Sequence, residues 1–221
     1  MADPSITDID PTGDIILIVP ADPESGANKR VKTGEDGHSS KPTSPKAQFR
    51  VSSKHLTLAS AYFKGRLGSH WTEGKILSDR GAAELELAEA DPKALSILLH
   101  IIHGRTRQVP RCVTPEEVFT LATLTDYLQC QEVIEPFGVS WIKAIESTYA
   151  ETGLTPRLKQ WIAAAVCFRH EIILKTATKI VYMHGTGRFN AGNLPIPRSV
   201  IGKKHSIHST SNSADLGIAH R

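Results

Sequence analysis

Between residues 20 and 46 the chain carries one large aliphatic side chain, Val31, and no Phe, Tyr or Trp. A stretch of Pro, Gly, Ser and charge cannot bury enough apolar surface to offset its ordering entropy. Residues 20–46 are therefore expected to be a disordered insertion, and the fold must be built from what flanks it. Upstream, Asp14-Ile15-Ile16-Leu17-Ile18-Val19 follows Gly13 and stops at Pro20, a short branched run with no helical period that reads as a buried strand. Downstream, Gln48-Phe49-Arg50-Val51-Ser52 places Phe49 and Val51 on one face of a second strand. The two pair most simply as a hairpin with an inflated loop. Residues 1–12, with Pro4 and Pro11, read as a disordered N-terminus.

Helical spacing takes over after Ser52. Ser52 or Ser53 caps a turn through Leu56, and Ser60 caps the next, with Tyr62, Phe63 and Leu67 facing inward. Gly68, Gly74 and Gly81 read as a loop leading to Glu84-Leu85-Glu86-Leu87, whose alternation suits a half-exposed strand. Asp91-Pro92 then sets an N-cap before a first-turn proline, Leu95, Leu98, Leu99 and Ile102 make a stripe, and Gly104 is the stop. Thr114-Pro115-Glu116-Glu117 is a capping box ahead of Val118, Leu121, Ala122, Thr125 and Leu128. Val133, Phe137, Trp141, Ile142 and Ile145 continue the pattern, and Pro156 opens a last helix carrying Leu158, Trp161, Ile162, Ala165 and Ile172. Beyond Met183 the chain turns to Gly, Asn, Ser and His. Residues 184–221 read as a mostly disordered basic tail, with Leu194-Pro195-Ile196-Pro197 its one apolar patch.

No run approaches the roughly 18 uncharged apolar residues of a membrane helix, and the acidic start is unlike a signal peptide. The expectation is an intracellular chain, cytoplasmic or nuclear, with no membrane partner. The charge excess sits at one end: residues 1–19 hold four Asp and no base, while residues 184–221 hold five bases and one acid. Phosphate binding scales with the charges neutralised, so this weak surplus does not make nucleic acid the main partner. Asn28-Lys29-Arg30-Val31-Lys32 matches a weak nuclear-import patch and Ser44-Pro45-Lys46 a proline-directed phosphosite.

The search for chemistry returns little. Cys112, Cys130 and Cys167 are odd in number and in no ligand spacing, and read as reduced, mostly buried thiols. His100 and His103 lie three apart on a helix with no carboxylate or cysteine spaced to complete a metal site. His103 is explained by the negative end of its helix, where a partial positive charge is favourable. His205 and His208 fall in the tail. Gly185-Thr186-Gly187-Arg188 follows a helix and lacks the Gly-Lys-Ser/Thr ending of a phosphate loop. Cys167, between Val166 and Phe168, has no feature that would lower its pKa. Glu84, Glu86, Glu116 and Glu117 are accounted for by strand exposure and helix capping. No catalytic residue, cofactor site or metal site is assigned, and an enzyme is not expected.

Phe49, Leu56, Ser60, Tyr62 and Phe63 fall in the register of Phe-x-Ala-His-Lys-x-Val-Leu-x-x-x-Ser-x-Tyr-Phe, and in this the chain resembles a BTB/POZ domain. Gly13-Asp14-Ile15-Ile16-Leu17-Ile18 is similar to the family's first strand, residues 84–87 to its third, 95–104 to its third helix and 114–128 to its fourth. The wording around Ile101-Ile102-His103-Gly104-Arg105, Val109-Pro110, Asp126-Tyr127 and Trp141-Ile142 resembles the stand-alone BTB proteins of filamentous fungi. The resemblance implies an α+β fold, a small mixed sheet with a cluster of helices over residues 13–146. It is followed by a helical extension over 147–183. It makes Asp14, Phe49, Leu56, Ser60, Phe63, Leu98, Leu99, Gly104, Leu121, Tyr127 and Trp141 structural residues of the motif.

What the resemblance implies about function is a non-enzymatic protein-interaction scaffold, able to self-associate. The binding residues are expected on the outer faces of the third and fourth helices and in the loop carrying Arg105, Arg107 and Arg111, since recognition concentrates on loops held by a rigid scaffold. The alternative within the family is a substrate adaptor for a cullin-type ubiquitin ligase. A third reading is a nuclear regulator touching nucleic acid through the basic tail. The chain departs from the family pattern in three places. Ser52-Ser53 replaces the usual His-Lys pair, the N-terminal helix used for swapping has only twelve residues available, and arginines stand where cullin recruiters carry an apolar-x-acidic triplet.

Overall fold

Ile15, Leu17 and Val19 are buried while Ile16 and Ile18 are half-buried, so the first apolar run presents one fully covered face, as a strand with period two must. In the computed structural model, which describes residues 6–19, 47–145, 156–184 and 196, this run is strand β2 (Ile15–Val19). It pairs antiparallel with β3 (Ala47–Val51), Ile15 opposite Val51 and Val19 opposite Ala47, the expected hairpin. The insertion itself, residues 20–46, lies outside the described residues. On its other side β2 pairs in parallel with β4 (Ala83–Glu86), whose Ala83 and Leu85 are buried and whose Glu84 and Glu86 are exposed.

Residues 6–12, expected to be unstructured, correct the sequence reading. Strand β1 (Thr7–Asp8) adds in parallel to β3, and the mixed sheet has the order β1-β3-β2-β4. Three observations explain the order at Thr7 to Thr12. Ile9 is fully buried, Asp8 pairs with Arg50 at 3.0 Å, and the Asp10 carboxylate accepts the Thr12 amide at 3.0 Å and hydroxyl at 2.8 Å in an Asx turn. Those two Thr12 bonds also hold the Asp10 carboxyl below its ordinary pKa. Gly13 closes the turn where no side chain fits, because a Cβ there would sit 2.4 Å from the Val51 carbonyl oxygen.

The described chain divides into two compact units, Met1–Val113 with Leu124–Ile134, and Thr114–Thr123 with Glu135–Arg221. In the first, the sheet is followed by α1 (Ser53–Ala59), α2 (Ala61–Arg66), α3 (Thr72–Arg80) and α4 (Pro92–Ile102). The α2 cap is the one read from sequence: Ser60 Oγ accepts from the Phe63 amide at 3.1 Å and donates to the Leu128 carbonyl. Helix α3 was read as loop. It has no apolar stripe, with Ile76 and Leu77 only half-buried and Trp71 half-exposed before it. Its Gly74 serves close approach: a Cβ would lie 2.1 Å from the Gly68 carbonyl oxygen.

Helix α4 begins as its sequence requires, with Asp91 accepting from the Ala94 amide at 2.8 Å and Pro92 in the first turn. Burial is broader than one stripe, since Ala94, Leu95, Ile97, Leu98, Leu99, Ile101 and Ile102 are all covered. It ends in a Schellman motif: Gly104 at φ 70° donates to the Ile101 carbonyl at 3.0 Å, and Arg105 donates to that of His100 at 2.8 Å.

The second unit is helical. The capping box opens α5 (Pro115–Leu128), with Thr114 donating to Glu117 at 2.8 Å and Glu117 to Thr114 at 3.2 Å. From α6 (Gln131–Ile145), Trp141, Ile142 and Ile145 are buried, and Gly138 leaves room for the Phe168 ring, which a Cβ would meet at 2.3 Å. The single last helix read from sequence is two, α7 (Pro156–Cys167) and α8 (Glu171–His184), parted where Arg169 takes φ 53° and His170 donates to the Ala165 carbonyl at 2.8 Å. The break puts Ile172 out of phase, and it is 67% exposed where the one-helix reading placed it inward. Leu158, Ile162, Ala163 and Ala177 pack together with Ile196, the one described residue of the region beyond His184. Residues 146–155, 185–195 and 197–221 lie outside the described residues. No described helix is long and apolar enough to cross a membrane.

Candidate functional site

The arginine loop is projected from the end of α4. Past the Schellman cap the chain makes one 3-10 turn, Thr106–Gln108, with Arg105 at its N-cap, and then buries Val109 and Val113. Arg105, Arg107 and Arg111 are all exposed, and none makes an ion pair among the described residues. The geometry is that of cationic side chains on a short turn pinned by a helix cap on one side and two buried valines on the other. Arg105 also bears on its neighbours: after partial burial, its charge is the second cause holding His100 below the ordinary histidine pKa.

The structure brings together a polar joint that sequence spacing did not show. At the step from β3 into α1, Ser52 holds the N-cap position without using its side chain as a cap. The work is done by Asp14, whose two carboxylate oxygens accept the Ser53 amide at 2.7 Å and the Ser53 hydroxyl at 2.6 Å. His103, from the end of α4, accepts the Ser52 amide at Nε2, 3.0 Å away, while its Nδ1 lies 2.9 Å from the Leu99 carbonyl oxygen. The His55 ring stacks on it at 4.9 Å. Burial first, and then the charges of His55 and Arg105, hold His103 below the ordinary histidine value. His103 thus stands at the end of its helix, as read from the sequence, and meets the negative end through Nδ1 on the Leu99 carbonyl; what the sequence did not show is the Ser52 amide on its Nε2.

A second feature missed from sequence is an aromatic patch. Tyr127, placed by the motif among the structural residues, is 45% exposed; its ring lies 5.1 Å from that of Tyr62, with their hydroxyls 3.3 Å apart. Burial and this neighbour push the Tyr62 hydroxyl up to about 12. Four residues along α2 from Tyr62, Arg66 stacks over Trp71 at 4.8 Å and pairs with Glu73 at 2.8 Å. Phe49, Leu56, Phe63, Leu98, Leu99, Leu121 and Trp141 are buried, Ser60 and Asp14 are bonded as described, and Gly104 is the exposed left-handed cap.

Among the described residues no group of three or more His, Cys, Asp or Glu is placed to hold a metal. No disulfide joins Cys112, Cys130 and Cys167. Cys130 and Cys167 are buried, burial pushing the Cys130 thiol up to about 12, whereas Cys112 is exposed, in keeping with a mostly buried set. The Ser53 hydroxyl is spent on Asp14 and the His103 nitrogens on backbone groups, so this cluster joins elements and leaves no base beside a nucleophile. No protein-family model matches the chain. No curated protein matches it.

Proposed function

We propose that this protein is a non-enzymatic interaction module of BTB/POZ type that presents the Arg105, Arg107 and Arg111 turn to an acidic segment of a protein partner. The observation that carries the reading is the turn itself, three exposed arginines unpaired among the described residues and held on a capped, buried helix. A pre-set cationic turn loses little entropy on binding and steers an acidic partner by its field. Support for the family comes from element order: a hairpin, helices, a strand returning in parallel beside the first, then an Asp-Pro-capped apolar helix.

The test is capture from the source cells at moderate salt, comparing the full-length tagged protein with an Arg105→Glu/Arg107→Glu variant by quantitative mass spectrometry. Circular dichroism controls for folding. The reading expects one or more partners with acidic segments to drop at least tenfold in the variant, and more weakly bound wild type as salt rises. Equal capture by both proteins overturns it. Stoichiometric recovery of a cullin scaffold that survives the charge reversal would replace it with the adaptor reading.

A further inference from the structure

The two bonds made by His103 are to groups whose roles are fixed. A backbone carbonyl only accepts, so the Leu99 contact at 2.9 Å needs a proton on Nδ1; a backbone amide only donates, so the Ser52 contact at 3.0 Å needs a lone pair on Nε2. Of the three states open to an imidazole, one satisfies both. The bond to Ser52 spans 51 residues and reaches the residue at which β3 ends and α1 begins. It stands beside the Asp14 clamp on Ser53, so two side chains from other elements hold one joint.

We propose that His103 is a proton-sensitive latch: the neutral ring fastens the β3–α1 joint to the end of α4, and a proton at Nε2 unfastens it. Protonation places two N–H groups face to face and leaves the Ser52 amide without its acceptor. The proposal holds whatever the arginine turn binds. The charged and titratable groups around the ring come from each element against it. His55 stacks from α1, Arg105 follows α4, Asp10 lies in the turn after β1, and Asp14 holds the adjoining residue. Burial, His55 and Arg105 disfavour a charge on the ring, while the Leu99 carbonyl and Asp10 favour it, and the balance lies below the ordinary value.

The sign follows. Above pH ~6.5, the ordinary histidine value, neither the folded nor the unfolded chain protonates this residue and the latch contributes fully. As pH falls below that value the unfolded chain takes up a proton the folded ring refuses, and the folding constant drops by up to about tenfold per pH unit. The loss ends where the folded ring itself protonates and the latch opens.

The test follows the His103 imidazole and the Ser52 amide of the full chain by NMR from pH 8 to 5, with urea unfolding of wild type and His103→Gln over the same range. Expected are a His103 midpoint below 6.5, a Ser52 amide shift and faster Ser52 exchange at that same midpoint, and a pH dependence of stability that is shallower in His103→Gln by up to one proton. His55→Phe, which keeps a ring stacked on His103 and removes the His55 charge, should raise the midpoint. If His103→Gln does not fold, the wild-type NMR titration decides alone. A His103 midpoint at or above 6.5, or a Ser52 amide that does not follow it, overturns the proposal.

Discussion

In the sheet-bearing unit, position is set by side chains that reach backbone groups far along the chain: His103 to Ser52, Asp14 to Ser53, Ser60 to Leu128. In the helical unit the corresponding jobs fall chiefly to apolar shape, beside the Cys167 thiol on the Ala122 carbonyl and the Arg157–Glu116 ion pair: the Phe119 ring edge-on to Trp161 at 5.5 Å, Phe168 lodged over Gly138, Ile196 among Leu158, Ile162 and Ala177. A hydrogen-bonded joint fixes register to within one atom and fails when that atom changes its protonation or is removed. An apolar joint tolerates chemistry of similar volume and fails when volume is lost. Specificity of orientation and bulk cohesion are thus separated along this chain.

Substitutions can break that contrast. Trp161→Ala should cost the most, about 3–5 kcal/mol by urea unfolding, because a large buried ring is removed from the helical unit. A cost under about 1 kcal/mol would mean that its surroundings are not the tight apolar joint described. Asp14→Ala should cost about 2 kcal/mol and speed amide exchange at Ser53, while Asp14→Asn, which keeps one acceptor oxygen, should recover part of the loss. Equal losses in the two variants would make the carboxylate charge, rather than the bonds, the holding element. Thr114→Ala tests the capping box at the start of the helical unit and should cost about 1 kcal/mol, with fraying confined to the first turn of α5 in hydrogen exchange.

Local signals in the sequence were enough at several helix ends, where cause and effect lie within four residues. The Asp91-Pro92 start, the Thr114 capping box, the Ser60 cap and the Gly104 stop are each bonded as their spacing requires. The alternation around Leu85 and the apolar run at Ile15 placed both strands. Where the cause is distant, nothing local announced it: Ser52 is 51 residues from the imidazole that receives its amide. Helix α3 lacks an amphipathic stripe and contains a glycine whose reason is the Gly68 backbone. The α7–α8 break uses Arg169 in a left-handed conformation that glycine or asparagine would have advertised. For the candidate site, the arginines were legible as an uncompensated run of charge. The Tyr62–Tyr127 patch was not, because an aromatic in a helix reads as core until its exposure is known.

Helix α4 has a consequence for how this sequence can drift. Of its eleven residues only Lys93 is fully open to water, with Pro92, Ser96 and His100 partly so. Every other position meets neighbours on its own side, so a change of even one methylene there needs a matching change elsewhere to be neutral. Substitutions on this helix should therefore accumulate in coordinated pairs, while the exposed turn that follows it can vary one residue at a time. The exposed arginine turn can change without disturbing the frame that presents it.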